Sequence, residues 1–201
     1  MLSPQGLEFI ETIEPTRENA QAMLKLTLQD VKLGGFKNPL SLADPSSEDM
    51  ISAQQQKLCD HPERYSGYAR NGELVAYIKQ GEWLAGDELP FAHWLSYLSL
   101  KLQRALHKDP HTGMWGIFGL VAANDLGTQV QKNALALLLM GSREDPISGN
   151  TRRIVNVVIH EYDPLLEIAK NHGFVAVGRR GNAAGAPGLK QRRYQWRLTS
   201  K

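Results

Sequence analysis

Cysteine is almost absent from this chain, since Cys59 is the only one among 201 residues. A single thiol cannot form an internal disulfide, and no metal-spaced partner lies near Cys59 in the sequence. The longest uninterrupted apolar run, 134–140, is far too short to cross a bilayer. The first residues also lack a basic start followed by an apolar core. We therefore expect a cytoplasmic protein with no membrane partner.

Several well-known catalytic signatures are missing as well. The sequence contains no GxGxxG, GxxxxGK[ST], GxSxG or HExxH motif. His107 and His111 are four residues apart, but Pro110 lies between them and no third ligand is near. Because a zinc ion needs three or four ligands, we predict no metal site.

Composition and charge favour one compact domain over residues 1–201. Hydrophobic residues make up 42% of the chain and charged residues 22%, which argues against global disorder. The net charge of +2 hides an asymmetry, since residues 179–201 carry seven basic side chains and no acidic one. Such a segment could meet phosphate on a cofactor or on a nucleic acid. A solvated basic hairpin is the simpler interpretation.

Apolar periodicity predicts the elements of the first half of the chain. Pro15-Thr16 is typical of a helix start and Gly34-Gly35 of a helix end. Asn71-Gly72 predicts a tight hairpin, because both central positions of a type I′ turn need a positive φ. The predicted order is strand 7–13, helix 16–34, helix 46–58, hairpin strands 65–70 and 73–80, and helix 91–108.

The second half reads as alternating strands and helices. Strand 115–123, helix 127–140, loop 141–151 and strand 154–159 predict a parallel crossover, so this half is α/β. Asp163, Pro164 and Gly173 then suit the cap, the first position and the left-handed end of a short helix. Two strands close the chain, 175–178 and 194–198, joined by a long mobile glycine-rich connection.

The closing segment resembles that of the GNAT N-acetyltransferase superfamily. Tyr162–Phe174 has the order of a Pro-started helix followed by Gly-Phe, where the family commonly has Asn-Glu-Pro-Ala and then Tyr-Glu-Lys-x-Gly-Phe. Residues 121–131 are similar to the family's Val-x-Pro strand end and Arg-Gly-x-Gly-Ile-Gly loop. Gly127 and Val130 match, whereas Leu126, Gln129 and Gln131 replace the Arg and two Gly positions.

This resemblance implies a fold and a donor. The fold is a mixed, mostly antiparallel sheet flanked by helices, with helix 91–108 as an insertion between the third and fourth strands. The activity is transfer of an acetyl or other acyl group from acyl-CoA to an amine. The implied cofactor contacts come from main chain in the fourth strand and from N–H groups at the following helix start. These residues are Leu120, Val121, Gly127, Thr128, Gln129, Val130 and Gln131.

The resemblance also bears on the chemistry of transfer. Ala169 stands where the family often has the Tyr that protonates the departing thiolate, and Tyr162 stands where it usually has Asn. Direct attack of the amine on the thioester is therefore the expected mechanism. The nearest titratable candidates are His160, Glu161 and Tyr162. Expected acceptors are an amine-bearing small molecule, a protein N-terminus or a lysine, and helix 91–108 could mediate a homodimer.

Two other functions remain open from the sequence. A protein of the same fold could hold a ligand or partner without catalysis, given the replaced side chains. The basic segment could instead bind nucleic acid through Arg179, Arg180, Arg192 and Arg193. The segment lacks a recognisable nucleic-acid-binding module, which argues against this third function.

Overall fold

A computed structural model describes residues 6–29, 44–82, 114–145, 149–183 and 186–198. These residues form a mixed α/β fold, as predicted, with seven strands in one sheet of order β1-β2-β3-β4-β5-β7-β6. The predicted helix 91–108 lies outside the described residues. The strands are β1 Glu8–Ile10, β2 Tyr65–Arg70, β3 Glu73–Glu82, β4 Met114–Ala122, β5 Ile154–His160, β6 Val175–Ala183 and β7 Ala186–Arg197. The helices are α1 Arg17–Leu28, α2 Glu48–Asp60, α3 Thr128–Gly141 and α4 Leu165–Asn171.

Strand pairing is mostly antiparallel, as expected. The pairs β1–β2, β2–β3, β5–β7 and β6–β7 are antiparallel. The pair β4–β5 is parallel, with Met114–Ile117 in register with Ile154–Val157. The strand-helix-strand unit predicted in the second half is therefore confirmed as a parallel connection through α3.

The described residues divide into two compact units, and those within 1–79 and 119–139 form the first. Helices α1 and α2 contribute one face each to its apolar core, because their apolar residues recur at helical spacing. The side chain of Thr16 caps α1 by accepting from the N–H of Asn19 at 3.1 Å, at the predicted start. The core consists of Ile13, Ala20, Met23, Leu24, Leu26, Ile51, Leu58, Tyr65, Leu74 and Tyr77.

The hairpin between β2 and β3 forms where Asn71-Gly72 predicts it. Both turn residues have a positive φ, 52° at Asn71 and 80° at Gly72. Within this hairpin Gly67 lies directly against the neighbouring strand. A Cβ at Gly67 would overlap the carbonyl oxygen of Ala76, so only glycine fits there.

The second unit contains the described residues within 80–118 and 140–201. Arg152 is almost completely buried in it, at 1% exposure. Its guanidinium donates to the Oε1 atom of Gln80 at 3.0 Å and to the carbonyl of Ser142 at 2.6 Å. It also lies 4.0 Å from the ring centroid of Trp115. Burial lowers the pKa of Arg152 to about 10, partly offset by Asp145, so the side chain remains charged at neutral pH.

A second arginine joins the end of α4 to the sheet of this unit. Arg143 donates to the carbonyl of His172 and lies 4.8 Å from the ring centroid of Trp196 and 5.6 Å from that of Phe174. Gly173 between these contacts has a φ of 79°, which confirms the predicted left-handed end of the helix. Asp163 accepts from the N–H of Leu165 at 2.8 Å, as predicted.

The sequence interpretation was wrong about the last two strands. The predicted short strands with a long mobile connection are in fact two long strands, β6 and β7, of one hairpin. The glycines had suggested a loop, but they lie within the paired parts of β6 and β7. Gly178 has a φ of 72°, and the register shifts between Val177 and Gly181, which is how a sheet accommodates an irregularity.

Two smaller corrections concern element ends. The first strand pairs only over Glu8–Ile10, although Ile13 still donates its N–H to the carbonyl of Tyr65 at 3.1 Å. Pro164 caps α4 and the helix begins one residue later, at Leu165. Neither correction changes the order of the elements.

Replacing Gly67 with alanine is expected to destabilise the protein by about 2 kcal/mol, because the new methyl group would overlap the Ala76 carbonyl. Urea unfolding of the wild type and the variant measures this change. Gly119→Ala is the matched control, since the nearest atom that its Cβ would meet in the described part of the chain is the Cβ of Lys79 at 3.6 Å. Equal losses in the two variants would contradict the assignment of a backbone clash at Gly67.

Replacing Arg152 with alanine is expected to cost about 3 kcal/mol, because the Ser142 carbonyl loses a buried donor and Trp115 loses its stacked partner. The neighbouring Arg153 is exposed, so Arg153→Ala should change the free energy of unfolding by less than about 0.5 kcal/mol. Urea unfolding of both variants measures these changes in the free energy of unfolding. Similar values for the two would show that Arg152 contributes no more than a surface arginine.

Candidate functional site

The predicted donor residues lie where β4 ends and α3 begins, all within the first unit. A short 3₁₀ turn, Asn124–Leu126, follows the strand, and Gly127 then has a φ of 83°. A side chain at that φ would be strained, so the one glycine that matches the family loop has a backbone reason to be there. Among the residues that the structure describes, a Cβ at Gly127 would meet no atom within 4 Å.

The start of α3 presents backbone donors at the surface. The N–H of Gln131 donates to the carbonyl of Gly127 at 2.9 Å, which is the first bond of the helix. The N–H groups of Thr128, Gln129 and Val130 therefore have no acceptor within the helix. Thr128 and Gln129 are exposed, and the helix dipole favours negative charge at this end. This arrangement suits a phosphate group.

A cluster of side-chain amides holds the turn in front of these donors. The carbonyl of Ala122 accepts from Gln29 at 2.8 Å and from Gln131 at 3.3 Å. Gln29 also accepts from the N–H of Asn124 at 3.3 Å. Gln131 stands at a family glycine position, and its side chain thus contacts the turn itself. Sequence reasoning missed Gln29, because nothing local relates it to a turn 93 residues away.

The two strand residues predicted to contact the donor lie just before this turn. Leu120 and Val121 belong to β4, and Val121 packs against the apolar core of the first unit. The next residue but one, Ala123, donates its N–H to the carbonyl of Val75 at 2.8 Å, which fixes the end of β4 on β3. The structure therefore brings all seven predicted donor residues into one continuous segment of strand, turn and helix.

The three predicted titratable residues lie in the second unit, at the end of β5. His160 is partly buried, and burial lowers the pKa of its imidazole, an effect that Asp163 partly offsets. Its Nδ1 atom is buried and has no hydrogen-bond partner in the part of the chain that the structure describes. Burial raises the pKa of Asp163, while the N–H of Leu165 and His160 lower it.

Glu161 and Tyr162 have different surroundings from His160. A carboxylate oxygen of Glu161 is 3.9 Å from the guanidinium of Arg180, and the backbone N–H of Glu161 donates to the carbonyl of Lys190 at 3.0 Å. The side chain of Tyr162 is half exposed. Ala169, at the family's usual Tyr position, is completely buried on α4 and contributes to packing.

Metal ligation and membrane spanning both have structural requirements that the described residues can be compared with. Within the described ranges, no three His, Cys, Asp or Glu side chains come together as a metal site would require. No helix in the same ranges is long and apolar enough to cross a membrane.

Comparison with solved structures identifies the fold. The chain superposes on an acetyltransferase of the GNAT family from Bacillus anthracis with a TM-score of 0.59 and 8% identity, covering 98% of this chain and 97% of the other. A structure of the NatC complex bound to Gag peptide and CoA gives a TM-score of 0.58 at 13% identity, covering 97% and 100%. The YncA protein of Salmonella typhimurium with acetyl-CoA gives 0.55 at 11%, covering 98% and 96%.

These likenesses show that the chain has the GNAT fold, as its sequence resemblance implied. Sequence comparison adds nothing further, because no protein-family model and no curated protein matches the chain.

The pH dependence of stability should reveal the burial of His160. Its pKa lies below the ordinary value of 6.5, so the unfolded chain binds the proton first as the pH falls. Stability is therefore expected to decrease as the pH drops below 6.5, and His160→Gln should weaken this decrease. Asp163 remains in both proteins and acts in the opposite direction, because its raised pKa favours the folded state at lower pH. Urea unfolding between pH 7.5 and about pH 5.5 tests this; the same pH slope in both proteins would contradict it.

Proposed function

We propose that this chain, which has the GNAT fold, is an N-acyltransferase that moves an acetyl or other acyl group from acyl-CoA to an amine. The observation that carries the proposal is the exposed start of α3 after the left-handed turn at Gly127. Two structures of similar fold support the choice of donor, since one is bound to CoA and the other to acetyl-CoA.

The donor would be held mainly by backbone groups. The N–H groups of Gly127, Thr128, Gln129 and Val130 would face the pyrophosphate, where the helix dipole adds to their attraction. Main-chain groups of Leu120 and Val121 would contact the pantetheine arm. The N–H of Gln131 is already used inside the helix, so this residue would contribute through its side chain, which steadies the turn at Ala122.

Transfer would proceed by direct attack. The amine nitrogen forms a bond to the thioester carbonyl carbon, the carbon–sulfur bond breaks, and the sulfur leaves with the electron pair. One proton leaves the nitrogen and one is taken up by the sulfur. Among the three candidates, His160 suits the role of base best, because burial keeps its imidazole neutral and able to accept a proton near pH 7.

The acceptor would be an amine on a small molecule, a protein N-terminus or a lysine. The NatC complex of similar fold is bound to a peptide and to CoA, which supports a peptide amine as one such acceptor. A protein that binds CoA without catalysis differs from this proposal in one measurable respect. It would be stabilised by CoA but transfer no acyl group to any amine in a panel of peptides and small molecules.

Acetyl-CoA and free CoA are both expected to raise the Tm at millimolar concentration, because a ligand that binds only the folded state stabilises it. Thr128→Glu should weaken this binding at least about tenfold, since it places a carboxylate where the pyrophosphate would lie. The same change should leave the ligand-free protein as stable or raise its stability by about 0.5 kcal/mol, because a negative charge suits a helix start. Thermal-shift titration with ATP as a comparison ligand measures both effects.

Asn133→Glu is the matched control for that experiment. Asn133 lies on the same helix beyond its first turn and is exposed, so the variant carries the same charge change away from the helix start. Its side-chain oxygen accepts from the Nε2 atom of Gln129 at 2.9 Å, and a carboxylate oxygen can accept that bond as well. We expect it to bind acetyl-CoA nearly as the wild type does. Absence of any stabilisation of the wild type by both CoA species would overturn the proposed function.

A further inference from the structure

A strongly basic pocket lies in the second unit, among residues that the proposed donor site does not use. Its volume is about 250 Å³, and its walls come from the end of β5, from α4 and from the β6–β7 hairpin. Four cationic side chains line it, those of Lys170, Arg180, Lys190 and Arg192. Among its described lining residues only Glu161 is acidic. We call this feature the basic pocket.

Secondary structure explains why these charges converge. Successive residues of a strand point to opposite faces, so Lys190, Arg192 and Tyr194 share one face of β7. Arg192 is opposite Ile159 on the neighbouring strand, which places Ile159 on that same face. Residues four apart on a helix also share a side, and Leu166 and Lys170 of α4 both line the pocket.

Two of the cations are held in place by hydrogen bonds that they donate to neighbouring groups. The Nζ atom of Lys190 donates to the side-chain oxygen of Asn182 at 2.6 Å. The Nε atom of Arg192 donates to the carbonyl of Gly178 at 3.2 Å. Each bond uses one donor of a side chain that has several, so the terminal amino groups of Arg192 remain for a ligand. The bulge at Gly178 thus has a role in orienting Arg192.

The charge of the basic pocket is not neutralised by its own carboxylate. The nearest contact of Glu161 with a cation of the pocket is the 3.9 Å approach to Arg180, whose side chain is 68% exposed. An ion pair of this length at such exposure is weak, because water screens it. Four positive charges facing one negative charge therefore leave a strong preference for an anion.

The lining side chains and the volume of the basic pocket indicate which kind of anion it would bind. Arginine offers a planar pair of donors that matches a phosphate, and lysine adds a compact charge beside it. A water molecule occupies about 30 Å³ in the liquid, so a pocket of about 250 Å³ has room for a phosphate and an attached organic group. Its concave shape favours a small molecule over a polymer backbone.

We propose that the basic pocket binds a small phosphate-bearing molecule, with Arg192 and Lys190 as its principal contacts and Lys170 and Arg180 beside them. The site goes beyond the proposed donor contacts, with which it shares no residue, although Glu161 and Tyr162, two of the three candidate titratable residues, also line it.

The test measures binding of inorganic phosphate and of phenyl phosphate to the full chain by isothermal titration calorimetry at constant ionic strength. The double variant Lys190→Gln/Arg192→Gln should bind both probes roughly tenfold more weakly or worse, since it removes the charge-assisted hydrogen bonds. The control is Arg153→Gln/Arg179→Gln, which loses the same charge from exposed arginines that do not line the pocket. It should retain the wild-type affinity within about twofold.

Three results would overturn the proposal. They are unchanged affinity in the pocket variant, an equal loss in the control, and complete displacement of phosphate by CoA, which would assign the pocket to the donor. Tighter binding of a single-stranded oligonucleotide that depends on the control arginines would instead favour a nucleic-acid surface. If the double variant does not fold, Lys190→Gln alone keeps the Arg192 contact with Gly178, and its affinity should still fall several-fold.

Discussion

The Ala122 carbonyl is the point on which the geometry of the proposed donor site depends. Two side-chain amides, from Gln29 and Gln131, donate to it, and the N–H of the following residue is held by Val75. These bonds fix the direction in which the chain leaves β4, and the left-handed φ of Gly127 then turns it into α3. These hydrogen bonds at the end of β4 thus set the direction of α3 and of its dipole.

The two compact units rely on different interactions. The first is held by an apolar core of aliphatic and tyrosine side chains between its helices and strands. In the second, arginines stacked on tryptophans join elements that are distant in sequence, as Arg152 does with Trp115 and Arg143 with Trp196. A buried arginine costs much desolvation, which the hydrogen bonds to Gln80 and Ser142 offset. Such packing fixes the positions of β5 and α4, and so of the titratable residues between them.

Local signals made most of the fold predictable, and long-range contacts account for what was missed. Asn71-Gly72 and Asp163 act on their immediate neighbours, so the sequence shows both the hairpin and the helix start. Gly178 and Gly181 belong to an irregular pairing of two strands. The sequence does not show which strand they pair with, so these glycines resemble those of a loop. Gln29 reaches a turn far along the chain, and no periodic pattern marks such a contact. The backbone part of the proposed donor site comes from the family resemblance of residues 120–131, whereas the side chain of Gln29, which holds its turn, has no counterpart in that resemblance.

This chain lacks some of the side chains that the GNAT family usually has, but their loss still allows the proposed acyl transfer. The thiol of a cysteine has a pKa of about 8.5, and a similar thiolate leaves readily near neutral pH, so a buried Ala169 in place of an acid is tolerable. The attacking amine imposes the stricter requirement on the reaction, because it must be neutral before it can act as a nucleophile. An α-amino group, with a pKa of about 8, is neutral far more often at pH 7 than a lysine, whose pKa is about 10.4. With one partly buried histidine as the proposed base, this difference favours an α-amine over a lysine side chain as the acceptor.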